Sequence, residues 1–180
     1  MTTKNGIDVE KMEQLTEAVE ADADNGIFTF RAETEWSGGT TCETTVGDME
    51  KGGQSVDGPE FTIEGTMLGS REAPTAMEQF LSALGTCLTV TYAAHGAKMG
   101  IDIDDLRFEF EGEVDMRGLL GVSDDVRPGY DEIACTVHVD ADATEAELAE
   151  LKEVAEANSP IVDNFTNAAS LSTELRPADA

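Results

Sequence analysis

One stretch limits the fold of this chain more than any other. From Gln79 to Ala94 there is no formal charge, in a protein where 27% of residues are Asp, Glu, Lys or Arg. The run sits inside residues 74–99, PTAMEQFLSALGTCLTVTYAAHGAKM, with Pro74 suited to a helix start. A helix that is uncharged nearly all round has to be covered on every side. At about 1.5 Å per residue it would be about 39 Å long, more than a small domain covers alone. Gly85, Thr89, Ala93 and Gly96 fall along one side at helical spacing, where a second backbone can approach closely. The expectation is a homodimer that shares its core through this helix.

The flanking sequence supplies the cover. Asp8 is placed to cap a helix running to about Ala23, with Met12, Leu15, Ala18 and Val19 on one side; residues 1–6 are expected to be loose. Residues 27–36 and 40–46 alternate as two strands about a Ser37-Gly38-Gly39 turn, 48–58 is a glycine-rich loop, and 60–65 is a third strand. Gly100 stops the central helix. Residues 103–115 then alternate, and 130–140 return with Ile133, Cys135, Val137 and Val139 on one side; a helical turn at 119–120 lies between them. Thr144-x-x-Glu147 is a capping box opening a helix through Ala157. A short helix through Phe165 follows Pro160, and 169–175 read as a last strand. Strands and helices in this order, without βαβ alternation, predict an α+β fold with antiparallel sheets wrapped around the central helix. A length of 180 residues suits one domain, with 1–25 as a helical extension and 27–175 as the core.

Charge narrows the partners. Against 38 acidic residues stand 11 basic ones, a net charge of −27. Such a surface neither neutralises phosphates nor seeks an anionic membrane, so nucleic acid and membrane are excluded as partners. The acids are spread along the whole chain, as in proteins kept soluble by repulsion in strong salt, and a salt-loving source is the expectation. The N-terminus has no apolar stretch of signal-peptide length, and three cysteines make no disulfide framework. A cytoplasmic location follows as an expectation.

Among residues that could carry chemistry, Cys87 comes first. Its helical neighbours Phe80, Ala83, Leu84, Thr91 and Ala94 are apolar or small. Two readings stand: a buried structural thiol, or a reactive thiolate activated by a group from elsewhere in the fold or from a partner chain. Arg71, just ahead of the helix, is a candidate activating cation, with a solvated loop arginine as the alternative. Glu78 is a further candidate, and otherwise a helix-start carboxylate that suits the dipole. Cys42 and Cys135 are candidates for a second thiol in principle, but both fit inward strand positions, where structural burial is favoured. His95 is read as a packed or interface residue and His138 as solvated. Two separated histidines make no metal site, and no glycine-rich phosphate loop or serine elbow marks a cofactor.

The segment EQFLSALGTCLTV resembles the hallmark helix of the OsmC/Ohr family. The likeness extends to Trp36-Ser37-Gly38-Gly39, to GLLGVSDDVRPGYDEI from Gly118, and to Ser159-Pro160-Ile161 in the closing helix. The resemblance implies an intertwined homodimer with two sites at the subunit interface. It also implies reduction of small organic hydroperoxides by Cys87 as nucleophile, through a sulfenic acid. Where the family has a second cysteine before the closing proline, this chain has Ser159, so an external thiol reductant is implied. Thr40 and Met77 stand where the family's hydroperoxide-reducing members carry an arginine and a glutamate. The alternative is a binding or redox-sensing protein on the same fold.

Overall fold

A computed structural model describes residues 3–67 and 71–177. The uncharged stretch is a single helix, α2 (Ala76–Met99), one residue behind Thr75 as N-cap. Thr75 accepts from the Glu78 amide, and the Glu78 side chain reaches back to the Thr75 amide, so two orphan donors are met reciprocally. Gly100, at φ 80°, ends it in the left-handed conformation glycine adopts most readily.

Two larger sheets, a short two-stranded one and four further α-helices accompany it among the described residues. The longer-range sheet is the hairpin β7 (Ile103–Gly112) and β8 (Ile133–Ala141), whose register pairs Leu106 with Val139, Phe108 with Val137 and Phe110 with Cys135. Leu84, Leu88 and Tyr92 of α2 are buried with Ile101 and with Leu151 and Ala155 of α4 (Glu145–Ala157), and Phe108, Phe110 and Val137 pack on them. Tyr92 meets Phe108 edge-on, centroids 5.2 Å apart. Between the hairpin strands lies the single turn α3 (Met116–Leu119), and α5 (Pro160–Thr166) follows α4.

The other sheet is built before α2. Strand β4 (Thr41–Lys51) pairs along one edge with β3 (Phe28–Gly38), and its other edge is shared by β6 (Phe61–Thr66) and β5 (Gln54–Val56). The change of partner falls at Gly47, where an added Cβ would stand 2.9 Å from Glu60 Cα. Every second residue of β3 is aromatic or small, yet Phe30 is 73% and Trp36 77% exposed, and Phe61 of β6 is exposed too. None of the described residues covers this apolar face. The sheet is tied to the start of α2 by Thr66 N–H donating to Pro74 O (3.2 Å) and Gln79 Nε2 to Glu64 O (3.1 Å).

Several expectations need correction. Residues 3–8 are not loose: β1 (Thr3–Lys4) pairs with β2 (Ile7–Asp8), and Asn5 between them binds the C-terminal end of α2. Helix α1 (Val9–Ala21) does start from an Asp8 cap. The loop expected at 48–58 holds the end of β4 and the strand β5. Residues 169–175 form no strand, and Leu171 and Leu175 lie exposed. Gly85 and Gly96 do not await a second helix: a Cβ at Gly85 would stand 3.1 Å from the Phe110 ring, and one at Gly96 3.0 Å from Ile103. The open face of α2 carries Ser82, Ala83, Thr86, Thr89 and Val90 instead.

Candidate functional site

Cys87 sits midway along α2, and α5 is folded against it. Residue 158 caps α4, the chain turns, and Ser159 becomes the N-cap of α5 with Pro160 in its first turn. Ser159 Oγ accepts the Val162 amide (3.3 Å) and stands 3.1 Å from Cys87 Sγ. The serine is 1% exposed, one of two buried polar residues among those described, whereas Cys87 is half-buried. Thr91 Oγ1 donates to the Cys87 carbonyl (2.6 Å). From Ser159, α5 runs back along α2, so that Phe165 reaches Phe80, ring centroids 4.6 Å apart.

That aromatic contact walls a cavity of about 680 Å³, lined also by Met77, Tyr130, Ile133 and Arg127. Tyr130 stacks on Phe80 at 6.5 Å and its hydroxyl donates to Met77 O (3.1 Å), which fastens the loop after α3 to the first turns of α2. Gly118 lets that loop close on itself, since a Cβ there would stand 2.4 Å from Arg127 O. Cys87 is two helical turns past Phe80, about 10 Å along the axis.

The other candidates are placed as follows. Arg71 is brought to Glu78, Nη1 to Oε1 3.8 Å, with its side chain 90% exposed. It borders a neighbouring cavity of about 590 Å³ with Glu78 and Tyr130. Cys87 is nine positions past Glu78, about 13 Å of helix, so the arginine is not brought to the thiol. Glu78 is held below the usual carboxylate range by the Thr75 amide first, then the Thr75 hydroxyl, with Arg71 a smaller contributor. Among the described residues, the hydrogen-bond partner of the Cys87 thiol is Ser159.

Cys42 lies half-buried in β4 beside Gly65, where a Cβ would stand 3.0 Å from its sulfur. Cys135 is on the inward side of β8 but is exposed, a correction to the expected burial. Partial desolvation first, then the Glu156 carboxylate, push its thiol up against a smaller pull from Lys152, the wrong direction for a reactive sulfur. His95 is half-buried and pushed down by burial, then by Lys98. His138 pairs with Glu109 at 3.1 Å on the outer face of the sheet. No group of His, Cys, Asp and Glu among the described residues could hold a metal ion, and no described helix is long and apolar enough to cross a membrane.

Spacing alone did not reveal Tyr130, Phe165 and Arg127 as cavity residues, because they meet α2 from segments 50 or more positions away. Thr75 was findable: Thr75-Ala76-Met77-Glu78 repeats the Thr-x-x-Glu signal read at 144–147.

An antiparallel α+β chain that seats a cysteine midway along a buried central helix, against the helix closing the fold, defines a class. A sequence model described as OsmC-like protein matches residues 69–174, and the chain belongs to that family. Its fold is similar to that of an OsmC-like protein from Mycoplasma pneumoniae (14% identity, TM-score 0.58, covering 79% of this chain and 89% of that one). It is similar also to an OsmC-like protein of unknown function from Vibrio cholerae (12%, TM-score 0.54, 76% and 92%). A hypothetical protein from Aquifex aeolicus matches at 13% identity and TM-score 0.54, over 78% of this chain and 89% of its own. Among curated proteins none matches.

Proposed function

We propose that this chain is a thiol-dependent redox protein that reduces small organic hydroperoxides through Cys87 and is returned to the thiol by an external thiol reductant. The observation that carries the reading is the placement of Cys87: it is half-buried on the central helix, on the helix face that leads to the aromatic cavity. An apolar cavity two helical turns from the sulfur suits the organic part of a hydroperoxide better than water. Membership of the family supports the choice of this thiol over Cys42 and Cys135.

The working form in this reading is a homodimer. The isolated chain exposes 13251 Å², against about 8,400 Å² for a compact monomer of its mass. The bare apolar face of β3, β4 and β6 and the open face of α2 contribute to that excess. A partner chain laid over both would also bring its own groups toward Cys87, to which the described residues of one chain bring no cation in hydrogen-bond contact.

Steady-state reduction of cumene hydroperoxide with a dithiol, in molar KCl, tests the reading. Cys87→Ser is expected to abolish turnover while leaving the melt intact; equal turnover by the variant overturns it. A second reading, ligand binding or redox sensing without turnover, is favoured by the separation of Arg71 from Cys87. It predicts that Cys87 is oxidised by one equivalent of hydroperoxide but not recycled by the dithiol.

A further inference from the structure

The contact between Cys87 and Ser159 says more than proximity. A serine hydroxyl has one proton to give and two lone pairs to accept with. One lone pair of Ser159 Oγ is taken by the Val162 amide, which fixes the rotamer, and the remaining contact is Cys87 Sγ at 3.1 Å. While Cys87 is a thiol, either group can donate. Once it is a thiolate, Ser159 has to donate, and no other acceptor among the described residues competes for its proton. Deprotonation therefore exchanges a neutral hydrogen bond for a charge-assisted one, which is about twice as strong. With the serine 1% exposed, water does not compete for its hydroxyl.

We infer that Ser159 is a positioning residue for Cys87: its hydroxyl donates to the sulfur, favours the thiolate, and leaves the oxidised sulfur no neighbouring thiol to condense with. The inference rests on the hydroperoxide reading for its chemistry but not for its geometry. The thiolate attacks the outer oxygen of the hydroperoxide and the O–O bond breaks. The sulfur, oxidised by two electrons, becomes a sulfenic acid, and the alkoxide leaves and takes a proton to become the alcohol. An oxygen at residue 159 cannot form a disulfide. The sulfenic acid persists until a small external thiol condenses with it, releasing water and leaving a mixed disulfide. A second thiol then attacks that bond, frees the Cys87 thiol and departs as the oxidised reductant. Cys42 on β4 and the exposed Cys135 on β8 are not partners of Cys87.

The test separates the two claims. Alkylation of Cys87 by iodoacetamide, followed by peptide mass spectrometry as a function of pH, needs no hydroperoxide. Ser159→Ala is expected to move the midpoint of that profile to higher pH, and to slow alkylation at neutral pH about tenfold. A merely structural loss of the α5 cap would lower the melting temperature without moving the midpoint, and an unmoved midpoint overturns the inference. Ser159→Cys, close in size, keeps the test available if the alanine variant does not fold. One equivalent of cumene hydroperoxide should give that variant a disulfide between Cys87 and the introduced thiol, whereas wild type should give a Cys87 sulfenic acid captured by dimedone. Failure of the disulfide to form in Ser159→Cys, or a wild-type disulfide from Cys87 to Cys42 or Cys135, overturns it. A shifted midpoint in a protein that never turns over hydroperoxide would retire the hydroperoxide reading and leave the role of Ser159 standing.

Discussion

At the scale of single residues, Asn5 concentrates an unusual share of the structure. Its Nδ2 donates to Ala93 O (3.3 Å) and Ile101 O (3.1 Å), and its Oδ1 accepts from Ile103 N (2.9 Å). One side chain thus joins the last turns of α2 to the first residue of β7. Its φ of 52° is a conformation that asparagine tolerates better than most residues. Asn5→Ala should cost about 2–3 kcal/mol, because it removes the side-chain partner of Ile101 O and Ile103 N and adds left-handed strain. The measurement is chemical denaturation, and a loss below about 0.5 kcal/mol would mean the clamp does not form in solution. No sequence rule points to Asn5; the chain ahead of Asp8 reads as loose because its partners lie 88 and more positions away. Cys87 and Ser159 show the same limit, since they are 72 positions apart and meet only because α5 turns back on α2. The family likeness marked both positions, but their hydrogen bond is visible only in the fold.

At the scale of elements, what was legible is what is local. The Thr144 capping box, the Asp8 cap, the extent of α2 and the alternation of β7 and β8 each follow from residues within one turn or one strand. Strand β5 has a local signal too: Gly52-Gly53, at φ 56° and 75°, is the two-residue turn that joins hairpin strands. Residues 169–175 alternate like a strand but find no edge to pair with, and alternation without a partner does not make one. The single turn α3 shows how a short element is held. Asp115 caps it through the Arg117 amide (2.9 Å) and grips the Arg117 guanidinium. Those side-chain and backbone hydrogen bonds from Arg117 lower the Asp115 carboxyl from 3.8 to about 2. A carboxyl depressed on folding contributes stability above its unfolded pKa, and loses it as pH falls through the folded value. The contribution of α3 should therefore fade between about pH 4 and pH 2. Carboxyl NMR should place Asp115 near the lower limit in wild type and return it toward the ordinary range in Arg117→Gln. An unchanged titration in that variant would show that the pair is not formed.

At the scale of the whole molecule, charge and exposed surface act against each other. Each chain carries −27, yet it leaves Phe30, Trp36, Phe61 and the Ser82–Val90 side of α2 uncovered. Covering that surface with a second chain gains hydrophobic burial, but brings two strongly acidic bodies together. In dilute buffer the repulsion reaches across the interface, with a screening length of about 10 Å at 0.1 M salt; at 1 M it falls to about 3 Å and mostly adjacent charges still interact. Hydrophobic burial does not weaken with added KCl, so the balance should tip toward association as salt rises. Sedimentation velocity should find a dimer in molar KCl and dissociation in dilute buffer, with the melting temperature rising over the same range. The surface argument also says where dissociation acts: it uncovers the aromatic face of the first sheet, so dye binding to exposed apolar surface should increase as the dimer is lost. Trp36→Ser, which removes apolar area from that face without altering charge, should shift the association midpoint to higher salt. A melt indifferent to KCl would remove the charge argument, and a monomer at every salt concentration would remove the dimer and with it any activating group supplied by a second chain.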